Sequence, residues 1–144
     1  MLNLRKFTPS DLNRVLEITE SSFSEPWKKN SFEIIYKKHP NEFFVAEDNE
    51  EITGFIAGGI INEAGGIKII AVNKNHRQKG IGKALVKKIL DHFQNNGVKE
   101  VIARARTNNK TSISFLKSLG FEVKKTVEKY YKNGDDAYLM KKSI

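Results

Sequence analysis

The chain has 144 residues, 39% of them hydrophobic, with nine Phe and no Cys. That length suits one domain, residues 1–144, with a single core, and the missing Cys excludes disulfides, thiolate metal sites and a Cys nucleophile. Basic residues outnumber acidic ones by 25 to 17, a net charge of +8, which suits an anionic ligand, nucleic acid or a ribosome-associated partner.

Leu2 to Phe7 alternates apolar and polar, the pattern of a half-buried strand. Thr8-Pro9-Ser10-Asp11 reads as a helix start, with Thr as cap, Pro first and an acid third. Leu12, Val15, Leu16 and Ile18 carry that helix to about Ser22. Glu25-Pro26 breaks it, and a second short helix is predicted over about 28–37. Residues 42–47 and 52–61 read as strands joined by the turn Asp48-Asn49-Glu50. Ile67 to Val72 is a further strand. Gly80 to Asn96 is a helix with Ile81, Leu85, Ile89 and Phe93 on one face and Lys83, Lys87, Asp91 and Gln94 opposite. Gly97 ends it as a left-handed cap. Lys99 to Arg106 is a strand, and Asn108 or Asn109 caps a helix ending at Gly120. Residues 121–129 and 137–141 form a closing hairpin across Asn133-Gly134-Asp135-Asp136. Tyr130 and Tyr131 then alternate across a strand, one facing the core and one a cleft. The order indicates a mixed α/β sheet.

The most informative stretch is Arg77-Gln78-Lys79-Gly80-Ile81-Gly82-Lys83-Ala84. A strand precedes it and a helix follows. Gly80 and Gly82 allow close backbone approach, and the free N–H groups of a first helical turn attract an anion. The spacing excludes a Walker loop, which needs four residues between its glycines, and a dinucleotide fingerprint, because Leu85 stands where a third small residue belongs.

The run instead resembles the R/Q-x-x-G-x-G/A signature of the GNAT acetyltransferases, which bind acetyl-coenzyme A. The resemblance extends along most of the chain. Ser22-Phe23-Ser24-Glu25-Pro26-Trp27 is similar to the substrate loop of the N-terminal acetyltransferase branch related to the ribosomal-protein alanine acetyltransferases. Ile70-Ala71-Val72 with Arg77 to Gly82 resembles their cofactor core. Arg106-Thr107-Asn108-Asn109 with Ser118-Leu119-Gly120-Phe121 resembles a second cofactor motif. Tyr130 to Met140 resembles their C-terminal tail. Four matches in order outweigh any single one.

This resemblance implies a GNAT fold: a mixed, twisted sheet of six to seven strands flanked by about four helices. It implies acetyl transfer from acetyl-coenzyme A, without a metal, to the N-terminal α-amine of a protein or peptide. The implied cofactor contacts are Ile70, Ala71, Val72, Arg77, Gln78, Lys79, Gly80, Ile81, Gly82, Lys83, Asn109, Phe115 and Leu116. The implied substrate contacts are Phe23, Pro26, Trp27, Tyr130 and Tyr131. Acceptors of another kind, a small-molecule amine or a lysine side chain, are the alternative, and a catalytically degenerate cofactor binder is a third reading.

The chain departs from the branch at the proton-handling positions. Arg104 stands where the branch carries Glu or His, and a guanidinium cannot serve as a base. Leu116 stands where it carries a Tyr acid. The acid role then falls to Tyr130 or Tyr131, with Glu63 or a water chain as base, or else catalysis rests on positioning alone. Arg104 selects an acidic group on the substrate or is a salt-bridged strand residue.

Other readings are bland. Trp27 is as good a core lid as a peptide contact. Asn109 serves as a helix cap, a cofactor contact or both. His39, His76 and His92 lack metal-ligand spacing and read as surface residues. The lysines come as scattered pairs, a solvated surface rather than a stripe, so direct nucleic-acid binding is not expected. Without a membrane-length apolar run or a signal-peptide core, a cytoplasmic protein that binds no membrane is expected.

Overall fold

A computed structural model describes all residues, Met1 to Ile144. Seven strands form one sheet: β1 (Leu2–Lys6), β2 (Phe43–Asp48), β3 (Glu51–Ile61), β4 (Ala64–Val72), β5 (Glu100–Arg106), β6 (Glu122–Val127) and β7 (Ala137–Ser143). Their spatial order is β1-β2-β3-β4-β5-β7-β6. All neighbours run antiparallel except β4 and β5. Four α-helices cover it: α1 (Leu12–Ser22), α2 (Lys29–Lys38), α3 (Ile81–Asn95) and α4 (Lys110–Ser118). No helix is long and apolar enough to cross a membrane.

Local chemistry explains most boundaries. A capping box at Thr8 and Asp11 opens a short 3-10 turn that runs into α1, and Thr8 N–H donates to Asp11 Oδ2 at 2.8 Å. The same carboxylate accepts from Arg5 Nη1 at 2.8 Å. Burial pushes the Asp11 carboxyl up, but the Arg5 guanidinium and the Thr8 amide outweigh it and hold the group below its ordinary 3.8. The Asn49-Glu50 and Asn62-Glu63 pairs all take positive φ, the geometry of tight hairpin turns that match strand twist. The second of these turns starts β4 at Ala64, three residues before the strand expected from Ile67.

The sheet divides the apolar interior, so the single core expected from chain length is two. One cluster lies under α3 and α4 and includes Phe44, Ile56, Ile67, Leu85, Ile89, Phe93, Val101 and Met140. The other lies under α1 and α2 and includes Val15, Ile18, Phe32, Phe43, Phe55, Ile69 and Ala71. The expected inner face of α3 is buried throughout, from Ile81 to Phe93, and Gly97 follows at φ +78°.

One irregularity positions the site. Ala57 pairs with Ile69 while Gly58 pairs with Ile67, so Lys68 is an extra residue bulging from β4. The bulge reverses the alternation: Ile67 faces the α3 cluster, and Ile69, two residues on, faces the α1–α2 cluster. Gly58 is required there, because a Cβ would meet the Gly66 carbonyl oxygen at 2.0 Å. Just before the bulge β4 leaves β5. Their parallel pairing covers only Ala64, Gly65 and Gly66 against Glu100, Val101 and Ile102, and a wedge opens from there toward the start of α3.

Three expectations fail here. Tyr130 and Tyr131 are not on a strand: β6 ends at Val127 and β7 begins at Ala137, so both lie in the intervening loop. Neither tyrosine faces the core. The histidines are not free surface residues. His39 and His92 are part-buried and flank the buried carboxylate of Glu42, and His76 Nδ1 is 3.3 Å from Asn73 Nδ2.

Candidate active site

The wedge between β4 and β5 holds a cleft of about 250 Å³. Its walls come from both strands (Ile67 to Ile70, Ala103 to Arg106), from the α1–α2 loop (Phe23, Ser24, Glu25, Trp27), from α4 and its cap (Asn109, Ser112, Phe115, Leu116) and from Tyr131. Where strands separate, the amides and carbonyls that would have bonded across remain free. The cleft is therefore an apolar slot edged with backbone donors.

At one end lies the start of α3. Gln78 and Gly80 both take positive φ, +63° and +80°, which turn the chain sharply into the helix. The first intrahelical bond runs from Ala84 N to Gly80 O at 3.0 Å, and the amides from Gly80 to Lys83 have no backbone acceptor. Space beside Gly80 is open, and a Cβ at Gly82 would come to 3.4 Å of the Phe115 ring. Four free amides at a positive helix end, with Lys79 and Lys83 beside them, fit a pyrophosphate. The Arg77 side chain is also tied into the protein. Its Nε donates to the Val72 carbonyl at 3.0 Å and its Nη2 to Ser22 Oγ at 3.2 Å, so it braces the loop against α1.

Ile70, Asn109, Phe115 and Leu116 all line the cleft. Ala71 instead points into the α1–α2 core, and Val72 packs against the other cluster. Asn109 caps α4, its Oδ1 accepting from Ser112 N at 3.1 Å. Leu116 offers no proton, and no hydroxyl replaces the missing Tyr on α4 in the cleft beyond Ser112.

At the other end two loops meet. Phe23 and Trp27 stand on one side and Tyr131 on the other. Trp27 also leans on Phe32, ring centres 5.2 Å apart, so it is core lid and cleft wall together. Pro26 is outside the cleft lining, and its part is to bend the loop. Tyr130 is 45% exposed and stacks edge-on against Tyr131 at 5.0 Å. Burial, with a smaller push from Tyr130, raises the Tyr131 phenol above its ordinary 10.0 against the pull of Arg106 and Arg104.

Arg106 joins the two loops, and the sequence did not single it out for this. Its Nη1 donates to Asp135 Oδ2 and Asn133 Oδ1, both at 2.9 Å, and its Nη2 reaches Glu25 Oε1 at 3.5 Å. Its guanidinium lies 3.9 Å from the Tyr131 ring centre. No sequence signal links residues 25, 106 and 135; only the strand geometry brings them together.

Glu63 is a correction. It sits exposed in the β3–β4 turn, seven residues along β4 from Ile70, roughly 20 Å at strand rise. The closed stretch of β4–β5 lies between them, so it cannot act as a base in the cleft. Glu25 is the one carboxylate among the lining residues.

The family model described as "Acetyltransferase (GNAT) family" matches residues 12–121. The chain belongs to the GNAT acetyltransferase family. Among relatives, this GNAT chain is 33% identical over 138 residues to an uncharacterised N-acetyltransferase of Methanocaldococcus jannaschii, covering 95% of the chain and 88% of that protein. It is 28% identical over 145 residues to N-alpha-acetyltransferase 30 of Schizosaccharomyces pombe, covering 96% and 95%. The crystal structure of Ard1 from Thermoplasma volcanium superposes with a TM-score of 0.96 at 26% identity, over 99% of this chain and 97% of that one. The GNAT fold expected from the motifs is the fold observed, with seven strands and four helices.

Proposed function

We propose that this GNAT enzyme transfers the acetyl group of acetyl-coenzyme A to the α-amine at a protein or peptide N-terminus. The observation that carries the reading is the cleft between β4 and β5, walled on one side by two loops rich in aromatic residues, with the free amides of the α3 start lying next to its Phe115 wall. Similarity to proteins named N-alpha-acetyltransferase supports the choice of acceptor.

Acetyl-coenzyme A is a substrate here and supplies an activated acetyl group. The amides from Gly80 to Lys83 hold its pyrophosphate. Ile70, Phe115 and Leu116 line its path, and the unpaired β4 edge beyond Lys68 supplies N–H donors for the thioester oxygen. The acceptor enters between Phe23–Trp27 and Tyr131 and presents its amine to the thioester carbon. A C–N bond forms and the C–S bond breaks. The departing thiolate takes a proton from Tyr131, whose burial keeps the phenol protonated at neutral pH. The amine's surplus proton leaves to water. Arg104 favours the neutral, nucleophilic amine, because a nearby cation disfavours an ammonium. Positioning supplies much of the remaining rate.

The test is thiol release with a panel of N-terminal peptides, spermidine and free lysine, with mass spectrometry locating the acetyl group. Acetylation of peptide α-amines is the expected result. Turnover confined to spermidine or lysine side chains would reject the reading. Restriction to the cytoplasm and association with ribosomes belong to the same proposal, and sedimentation of the chain with ribosomes tests the latter.

A further inference from the structure

The charges of the cleft do not balance. Lys68, Arg104 and Arg106 line it against the single carboxylate of Glu25. Arg106 is satisfied, with Glu25 and Asp135 both bound to it. Arg104 has no ion-pair partner. Its guanidinium carbon lies 5.2 Å from the Tyr130 ring centre, and its Nε is buried with no hydrogen-bond partner at all. A buried donor left unmade costs about 1–3 kcal/mol, and the rest of the guanidinium has no carboxylate partner to offset it, so the cation is left free to take one from a ligand in the cleft it lines. Lys68, exposed in the bulge, is without a carboxylate partner as well.

The position of Arg104 says which ligand. It faces Tyr130, so it belongs to the end of the cleft formed by the loop between β6 and β7, opposite the start of α3. A planar guanidinium fork matches carboxylate and phosphate alike, and of the two an unmodified peptide carries only the carboxylate. Each residue of an extended peptide advances about 3.4 Å, so side chains of the first two residues lie within reach of the amine's own site.

We infer that Arg104 reads a carboxylate on the acceptor, so that the preferred substrates are peptides with Asp or Glu at the first or second residue. The inference rests on the peptide N-terminus being the acceptor. It gives Arg104 a specificity role in place of the base that a Glu or His would be at this position.

The experiment measures kcat/KM of the full chain on peptides identical except for Glu, Gln or Lys at residue 1 or residue 2. The parent is expected to favour Glu over Gln at one of the two positions by roughly tenfold, the worth of one charge-assisted hydrogen bond. Arg104→Gln should bring that ratio close to one. Arg104→Lys should keep part of it, through charge without the fork. Arg104→Glu should reverse it toward the Lys peptide. Each ratio is taken within one variant, so a loss of folded protein cancels. Equal rates on Glu and Gln peptides in the parent, or an unchanged ratio in Arg104→Gln, would overturn the inference while leaving peptide acetylation intact. A fall in acetyl-coenzyme A affinity in Arg104→Gln with no change in peptide ratio would assign the guanidinium to the other substrate and overturn it too. Failure of the parent on every peptide, with turnover of spermidine, would remove the N-terminal reading itself.

Discussion

The two ends of the cleft are built by different means. The α3 end is one contiguous stretch, Arg77 to Lys83, and the groups it offers are backbone amides set by two positive-φ residues and a helix start. The Tyr131 end is assembled from three distant segments, and its geometry depends on side chains, with Arg106 linking Glu25 to Asp135. Backbone sites are robust to most substitutions and fail at the residue that must stay small. Side-chain assemblies fail wherever the shared ion is lost.

The sharpest way to break the first end is Gly82→Leu. A Cβ there already meets Phe115 at 3.4 Å, and a larger side chain covers the free amides. Acetyl-coenzyme A affinity should fall at least a hundredfold, about 2.7 kcal/mol, in a protein that still folds. Calorimetric titration alongside circular dichroism checks it; unchanged affinity would move the phosphate site elsewhere.

Tyr131→Phe should come next. As proton donor, Tyr131 should cost roughly ten- to a hundredfold in kcat when its hydroxyl goes, with little change in acetyl-coenzyme A affinity. Its phenol is raised by burial above 10.0, so the protonated, donating form persists across the neutral range. The alkaline fall in the parent's kcat should therefore lie above pH 10. A fall centred near pH 8 would exclude Tyr131 as the group responsible.

Arg106→Gln tests the assembly. The peptide KM should rise roughly tenfold as the two loops part, while acetyl-coenzyme A affinity moves less than twofold. This split between the substrates is the signature of a residue that positions one end only. Equal losses for both would make Arg106 a general stability residue.

Asp11→Asn is the smallest and touches neither end. The Asp11 carboxyl is held below its ordinary 3.8, so its contribution is present above that value and lost as pH falls through the lower folded one. The variant should lose about 1–2 kcal/mol at pH 7 and show a weaker dependence of stability on pH below 4, read by urea unfolding. Kinetic constants at pH 7 should stay within twofold once corrected for folded fraction.

The same contrast explains what the sequence made legible. Periodicity located α1 and α3, because each buries one face, while a break at Pro26 and a cap at Asn109 placed α2 and α4; the motif spacing marked the turn into α3, because that stretch is local. The cap at Asn109 was read for the same reason. Residue patterning by itself did not show the wedge. It depends on the extra residue at Lys68, on Gly58 pressing against the Gly66 carbonyl and on a pairing that stops after Gly66, all of which are relations between strands. The tyrosine loop was mistaken for strand because its residues favour strands. Its conformation is instead set by turn bonds, Tyr131 N to Asp135 O at 3.2 Å and Gly134 N to Tyr131 O at 2.9 Å. Glu63 looked available as a base only until the β3–β4 turn placed it at the wrong end of its strand.

The early end of the β4–β5 pairing also bears on solubility. An open sheet has two outer strand edges that can recruit another chain; this one has two more inside, facing each other across the wedge. Strand edges invite aggregation unless bulges, charges or cover blunt them. Here Lys68 bulges from one inner edge, and Arg104 and Arg106 stand on the other. The loops carrying Trp27 and Tyr131 wall the gap between them. A strand from another chain would have to bury these cations to dock. These cleft-lining cations are thus placed as gatekeepers of the unliganded chain, so neutralising Arg104 and Lys68 together should lower its solubility limit before it unfolds anything.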